Sequence, residues 1–413
     1  MPSATAHIDL SRLQALLAGV NGFGRNPRTR GFNRIGFSEA DMAVRDWFAD
    51  AMAADGLAVR RDGAANVFGR FGPADGPAII TGSHLDTVSE GGAFDGALGV
   101  CVALECVRAM RDAGLSPTTA IEVVATAEEE GRFGGMIGSQ AIAGQVTREW
   151  IDQARDADGV TLVAAMRAHG LDPYEILNAA RAPNSVRAFL ELHIEQGPVL
   201  EAAGIPIGIA DSVSGVCHLF VRLGGTANHS GTTPMDMRAD AFAGLAEVAG
   251  AIPAVIGEIG GEQSRITIGK VDLTPNAPHT IPGTAEFSVI IRDISEAVMR
   301  RLADRLRSEI AATATRHHLT AAVEDKSWLP PVVLDRELAR LLAGEAAKQE
   351  IPVRAMPSGA GHDAQTMQAL CPSALIFVPS KGGVSHAPAE STAWPDIEKG
   401  ANLLLAALVS LAV

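Results

Sequence analysis

Hydrophobic positions along the chain follow two periods, and the change from one to the other marks its organisation. A spacing near 3.6 predicts a short helix over residues 9–17. A second helix follows Ser38-Glu39-Ala40-Asp41, which resembles a capping box; its inner side is Met42, Trp47, Phe48 and Met52, and Gly56 ends it. Short β-branched runs predict strands at Val59, 67–71, 78–80, 119–127 and 186–195, and an Ala/Val/Leu-rich helix spans 99–113. Residues 147–182 read as a polar helical excursion.

From Val216 the order becomes strand 216–223, helix 236–256, strands 265–273 and 284–292, helix 296–316 and strand 320–326. This β-α-β-β-α-β order is the ferredoxin-like arrangement, and its strands account for one another. After Trp328-Leu329-Pro330-Pro331 an α/β pattern resumes: helix 335–349, strand 353–356, a glycine-rich loop at 358–364, strand 373–378, a second glycine loop at 382–386 and helix 394–413. The pattern predicts an α/β protein with a discontinuous domain, 1–212 plus 330–413, interrupted by an inserted domain over 213–329. A length of 413 residues agrees with two domains.

Composition narrows the class. A net charge of −14 argues against nucleic acid and anionic membranes as partners. The four cysteines, Cys101, Cys106, Cys217 and Cys371, are scattered without a CxxC pair, as expected of reduced, buried thiols in a cytoplasmic protein rather than a zinc–thiolate site. No basic-then-apolar leader and no uninterrupted membrane-length apolar run is visible, so a cytoplasmic location is expected.

The chemistry gathers at strand ends, where open α/β sheets place their ligands. Residues 82–100, GSHLDTVSEGGAFDGALGV, leave an apolar strand and carry His84, Asp86, Glu90 and Asp95 among glycines that permit tight turns. Strand 119–127 runs into Glu128-Glu129-Glu130, three carboxylates that repel one another unless a cation neutralises them. Strand 186–195 alternates so that Glu191, His193 and Glu195 share a face, and Gln196 follows. The loop after 373–378 carries His386. Each feature alone has an ordinary explanation: a polar loop, a solvated acidic turn, a structural histidine. Together, His84, Asp95, Glu130, His193 and His386 form a nitrogen/oxygen set that suits two divalent ions about 3.5–4 Å apart. Without thiolate, zinc, manganese, cobalt or nickel is favoured. Asp86 could hold the His84 ring, and Glu129, beside Glu130, would be free to act as general base. His218, His317, His318 and His362 read as structural, and Asp363 as a helix cap.

The chain resembles the hydantoinase/carbamoylase (amidase) branch of the dinuclear-metal exopeptidases. The resemblance rests on GSHLDTVSEGGAFDGALGV, EEEGRF, LELHIEQGPVLE, ANHSGTTPM, PNAPHTIPG, FSVIIRD, SGAGHDA and GVSHAPAE, which occur in the family's order over nearly the whole chain. It implies an aminopeptidase-like catalytic domain with a mixed sheet and a ferredoxin-like dimerisation or lid domain. It implies two divalent ions per subunit on His84, Asp95 (bridging), Glu130, His193 and His386, with Glu129 as base. It implies substrate contacts at Gln196, Asn276, Arg292, Ser358 and Gly359, and assistance at the scissile carbonyl from His229, supplied by the partner subunit of a homodimer formed through the inserted domain. The implied reaction is hydrolysis of the carbamoyl C–N bond of an N-carbamoyl-L-amino acid or related small anionic ureido acid. Departures from the family pattern lie near the pocket. EEEGRF lacks a residue between Gly131 and Arg132, His279 stands where Asn is common, and Ile291 stands where an acidic residue is common. An N-acyl amino-acid deacylase or exopeptidase on the same scaffold, or a catalytically silent metal-binding dimer, are the rival readings.

Overall fold

The structure, a computed structural model, describes residues 6–413. It divides into two compact units: the chain through Asp211 with Leu334–Met356 and Gly361–Val413, and Ser212–Val333 with Pro357–Ala360.

The first unit is built on a mixed sheet. Its strands run in the order Ala58–Arg61, Val67–Phe71, Ala120–Thr126, Ala78–His84, Val186–Ile194, Ser373–Val378, Ile207–Val213. The four middle strands from Ala120–Thr126 to Ser373–Val378 are mutually parallel, with His84 opposite Thr126 and His193 opposite Phe377. Their carboxyl ends therefore lie along one edge. Ala78–His84 and Ala120–Thr126 are buried at every position, as expected of parallel strands covered on both faces. Helix Ala97–Asp112 is buried almost all round and joins the terminal helices Leu10–Val20 and Trp394–Ala412 in one core with Ile79, Val123, Leu190 and Ile376. The excursion at 147–182 becomes the short helices Arg148–Gln153, Leu162–Ala168 and Pro173–Ala179, each opened by a Thr or Asp side chain that accepts a backbone N–H.

The second unit has an antiparallel sheet in the order Thr320–Leu329, Gly215–Gly224, Thr284–Asp293, Arg265–Thr274. Strict alternation sends Cys217, Leu219, Val221 and Leu223, and Ala285, Phe287, Val289 and Ile291, to one face. There they pack with Leu245 and Val248 of Ala241–Ile259 and with Met299, Leu302, Leu306 and Ile310 of Glu296–Arg316. Ala241–Ile259 is the one helix among the described residues long and apolar enough to cross a membrane by length and composition. It contains Glu247 and Pro253, and Ala241, Gly244, Leu245, Val248 and Val255 are buried.

Three expectations need correction. The helix predicted from residue 236 begins at Ala241, because Asp240 accepts the N–H groups of Phe242 and Ala243 and so sets the cap. Asp363 does not cap its helix: His362 holds the cap position, and Asp363 accepts from Thr126 at 2.5 Å beneath the sheet edge. Ser358 and Gly359, placed by the sequence pattern in the 330–413 segment, group with the second unit. There the Ser214 amide donates to the Ser358 carbonyl (2.9 Å) and Arg292 to the Gly359 carbonyl (2.8 Å).

Candidate metal centre

Four strand ends of the first unit bring His84, Asp95, Glu129, Glu130, His193 and His386 together. Asp95 is the centre. Its Oδ1 lies 3.0 Å from His193 Nε2 and 3.5 Å from His84 Nε2, and its Oδ2 lies 3.3 Å from His386 Nε2. His386 Nε2 is in turn 3.3 Å from Glu130 Oε2. Two ligand groups result, His84/Asp95/His193 and Asp95/Glu130/His386, each with its atoms within 4.8 Å of one another. Asp95 belongs to both. Gly96 makes this approach possible: its φ is +60°, and a β-carbon there would sit 2.4 Å from the His84 ring.

The ring orientations are fixed from behind. His84 Nδ1 lies 3.0 Å from the Asp86 carbonyl oxygen, and His193 Nδ1 lies 2.8 Å from the Ile194 carbonyl. A carbonyl only accepts, so each Nδ1 carries a hydrogen, and in the neutral ring each Nε2 turns a lone pair toward Asp95. The Gly96 amide, which donates to His193 Nε2 at 3.2 Å, agrees. Lone pairs facing carboxylates in a buried enclosure are repulsive unless a positive charge lies between them. The donor set therefore fits divalent cations.

The electrostatics show the same pull. Burial opposes a proton on His84, but Glu129, Asp95, Asp86 and Glu130 outweigh it and hold its pKa well above the ordinary value. His386 is raised to about 9, first by its hydrogen bond with Asp95. Burial and then Asp95 push Glu130 up to about 7. Glu129 is driven well above the usual carboxylate range by burial, with Glu130 and Asp363 adding to the push against the relief from His84. Its Oε2 stands 3.6 Å from His84 Nε2.

Asp86 works differently from the sequence expectation. Its main-chain carbonyl holds the His84 ring, while its carboxylate lies 3.8 Å from Nδ1. The carboxylate oxygens accept the amides of Glu129 (3.2 Å) and Glu130 (3.1 Å). Gln196, read as a substrate contact, donates from Nε2 to Asp95 Oδ2 at 2.8 Å, and its Oε1 is buried without a partner.

The second unit holds the remaining candidates. Arg292 lies on the sheet face away from the helices, and burial lowers the pKa of its guanidinium. His229 is exposed on the two-residue strand Asn228–His229, which pairs with Thr280–Ile281. Asn276 takes a positive φ of 52° in the turn after Pro275. The Ser358 hydroxyl donates to the Ala360 carbonyl at 2.8 Å.

Several residues at the centre were not singled out as site residues in the sequence. His362 sets its ring edge against His193, with centroids 4.6 Å apart. Glu191 accepts from the Ser83 hydroxyl (2.6 Å) and the Ala364 amide (2.9 Å). Ser385 and Glu390 tie the Asp95 and His386 loops together. Only the neighbours of Glu191 and Ser385, each within two residues of a histidine, could have drawn attention to them.

This centre, on the carboxyl edge of a mixed sheet, defines a class of hydrolase scaffold, and residues 80–410 match the peptidase family M20/M25/M40. The chain belongs to that family. It is 37% identical over 385 residues to an N-carbamoyl-L-amino-acid amidohydrolase of Paenarthrobacter aurescens, covering 92% of this chain and 93% of that one. It is 33% identical over 407 residues to the allantoate amidohydrolase of Escherichia coli (strain K12), covering 97% of both. A crystal structure of an amidase of the hydantoinase/carbamoylase family from Burkholderia multivorans superposes with a TM-score of 0.90 at 33% identity, covering 98% of each chain.

Proposed function

We propose that the protein is a cytoplasmic, dinuclear-metal amidohydrolase that cleaves the carbamoyl C–N bond of an N-carbamoyl-L-amino acid or a related ureido acid, releasing the amino acid, CO2 and ammonia. The observation that carries this reading is the shared carboxylate of Asp95, one oxygen facing His84 and His193 and the other facing His386 beside Glu130. His84, His193 and Asp95 would hold one ion, and Asp95, Glu130 and His386 the second. Zinc, manganese, cobalt or nickel suits these ligands. Bound there, the ions supply Lewis acidity to the scissile carbonyl and acidify the attacking water.

The chain's own residues do the rest. Glu129 accepts the proton of the attacking water and passes it to the departing nitrogen. Asp86 holds the main chain of Glu129 and Glu130 by their amides. Arg292 suits a substrate carboxylate, because a guanidinium offers two parallel hydrogen bonds to it. Gln196, Asn276, Ser358 and Gly359 are the further substrate contacts in this reading, and His229 assists at the carbonyl. A homodimer formed through residues 213–329, with His229 contributed by the partner subunit, completes the proposal. Support comes from the ureido chemistry in the names of the relatives that match this chain end to end.

The test is ammonia release by the metal-reconstituted protein on N-carbamoyl-L-amino acids, 3-ureidopropionate and allantoate, with N-acetyl amino acids as controls. Metal-dependent turnover of a ureido substrate supports the reading. Hydrolysis of the N-acetyl controls alone would make the protein a deacylase.

A further inference from the structure

Two loops that lie almost three hundred positions apart in the sequence, at Asp95 and at Glu390, meet through one buried carboxylate. Glu390 is 5% exposed. Its Oε1 accepts the main-chain N–H groups of Phe94 (2.9 Å) and Asp95 (3.0 Å). Its Oε2 lies 2.9 Å from the Ser385 hydroxyl, which also stands 3.0 Å from Asp95 Oδ2. The hydroxyl carries a single hydrogen and serves one of these carboxylates at a time. Gly92 gives Glu390 its berth: a β-carbon there would come within 2.1 Å of the carboxylate.

The His386 end needs holding. His386 has a φ of +54°, a region costly for a residue with a β-carbon. Its turn is closed by the Glu390 amide, which donates to the Ala387 carbonyl at 3.0 Å, and by the Lys381 amide, which donates to the Ser391 carbonyl at 2.8 Å. Glu390 thus grips both sides: the backbone of Asp95, and the loop that presents His386. Its hydrogen-bond partners are two amides and a hydroxyl, none of them a cation. A buried carboxylate held only by dipoles is a poor choice for stability alone.

We propose that Glu390 is a positioning residue for the metal centre, one that fixes Asp95 and the His386 loop in a single geometry so that both Asp95 oxygens face their ligand groups at once. The proposal rests on the reading of Asp95 and His386 as ligands. Because Asp95 is shared, loss of Glu390 weakens both ions rather than one. Residues that orient metal ligands from behind commonly change metal affinity by about 10–100-fold when removed. In E390Q the amide oxygen still accepts from Phe94 and Asp95, and its NH2 can donate to Ser385, leaving the hydroxyl hydrogen for Asp95.

The experiment measures Zn2+ affinity and stoichiometry of the full chain by competition with a chromophoric chelator, for wild type, E390A, E390Q and S385A, with circular dichroism to establish folding. The expected result is a loss of about 10–100-fold at both sites in E390A, substantial recovery in E390Q and an intermediate loss in S385A. Folded E390A binding two ions with wild-type affinity would overturn the proposal while leaving the metal reading intact. Should E390A not fold, S385A decides, and wild-type affinity there overturns it. A wild-type chain that binds no Zn2+ overturns the proposal and the metal reading together.

Discussion

His84 Nδ1 is held by the main-chain carbonyl of Asp86 at 3.0 Å, while the Asp86 carboxylate turns away to the amides of Glu129 and Glu130. The ring of His84 is therefore fixed by backbone, and the side chain of Asp86 fixes the acidic turn. Replacing Asp86 with Ala leaves the carbonyl in place and releases the two amides. We expect D86A to lower metal affinity by about 10–100-fold, with the loss concentrated at the ion proposed to sit on Asp95, Glu130 and His386. Separate affinities for the first and second ion check this; an equal loss at both would mean that His84 has moved as well.

Glu129 sits beside His84, its Oε2 3.6 Å from Nε2, buried and with its pKa raised. Substitution by Gln keeps its shape and removes its basicity. E129Q is expected to retain two ions while kcat falls by about 10²–10⁴-fold. Metal analysis alongside turnover distinguishes this from a ligand role, which would cost an ion as well.

Arg292 donates to the Gly359 carbonyl through Nη1, and the proposal assigns the rest of its fork to the substrate carboxylate. R292K preserves charge but not the paired geometry. KM should rise by about tenfold or more with a smaller change in kcat, a split read from steady-state kinetics. An unchanged KM would remove Arg292 from carboxylate binding.

Stability should depend on acid through Glu122, on the central strand Ala120–Thr126. Burial pushes its pKa up, but Arg181 at 2.7 Å, Arg70 at 2.8 Å and Arg60 at 3.3 Å outweigh it and hold the folded value below the ordinary 4.5. A carboxylate lowered in the folded state contributes its full stability above 4.5, and loses it as pH falls through the folded value. Thermal unfolding from pH 7 to pH 3 should show wild type losing stability below this point. E122Q should be less stable by about 1.5–3 kcal/mol at neutral pH, the range for hydrogen bonds to a charged group, with a flatter acid limb.

Much of the centre was legible because most of the candidate residues follow an apolar, β-branched run, and a strand read from its period brings its end to a known edge. His84, Glu130, His193 and His386 are found this way, and Asp95 follows from the glycines around it. The residues behind them were not legible. Glu390 sits in a loop where a carboxylate ordinarily faces water, and nothing local reveals that Gly92 leaves room for it. Asp363 looked like a cap because it precedes a helix, but its partner Thr126 belongs to a distant strand. The fold followed the same rule: residues 215–224 and 284–293 alternate and so bury one face of the second sheet, whereas the helix expected from residue 236 starts at Ala241, where the Asp240 side chain accepts the Phe242 and Ala243 amides.

Counting ions in variants of single candidate ligands tests whether Asp95 is shared by two ions. Metal per folded chain, measured after reconstitution and removal of excess, should be two for wild type, one for H193A, one for H386A and none for D95A. A single ion in wild type, or D95A retaining one ion at full affinity, would mean that Asp95 is not shared.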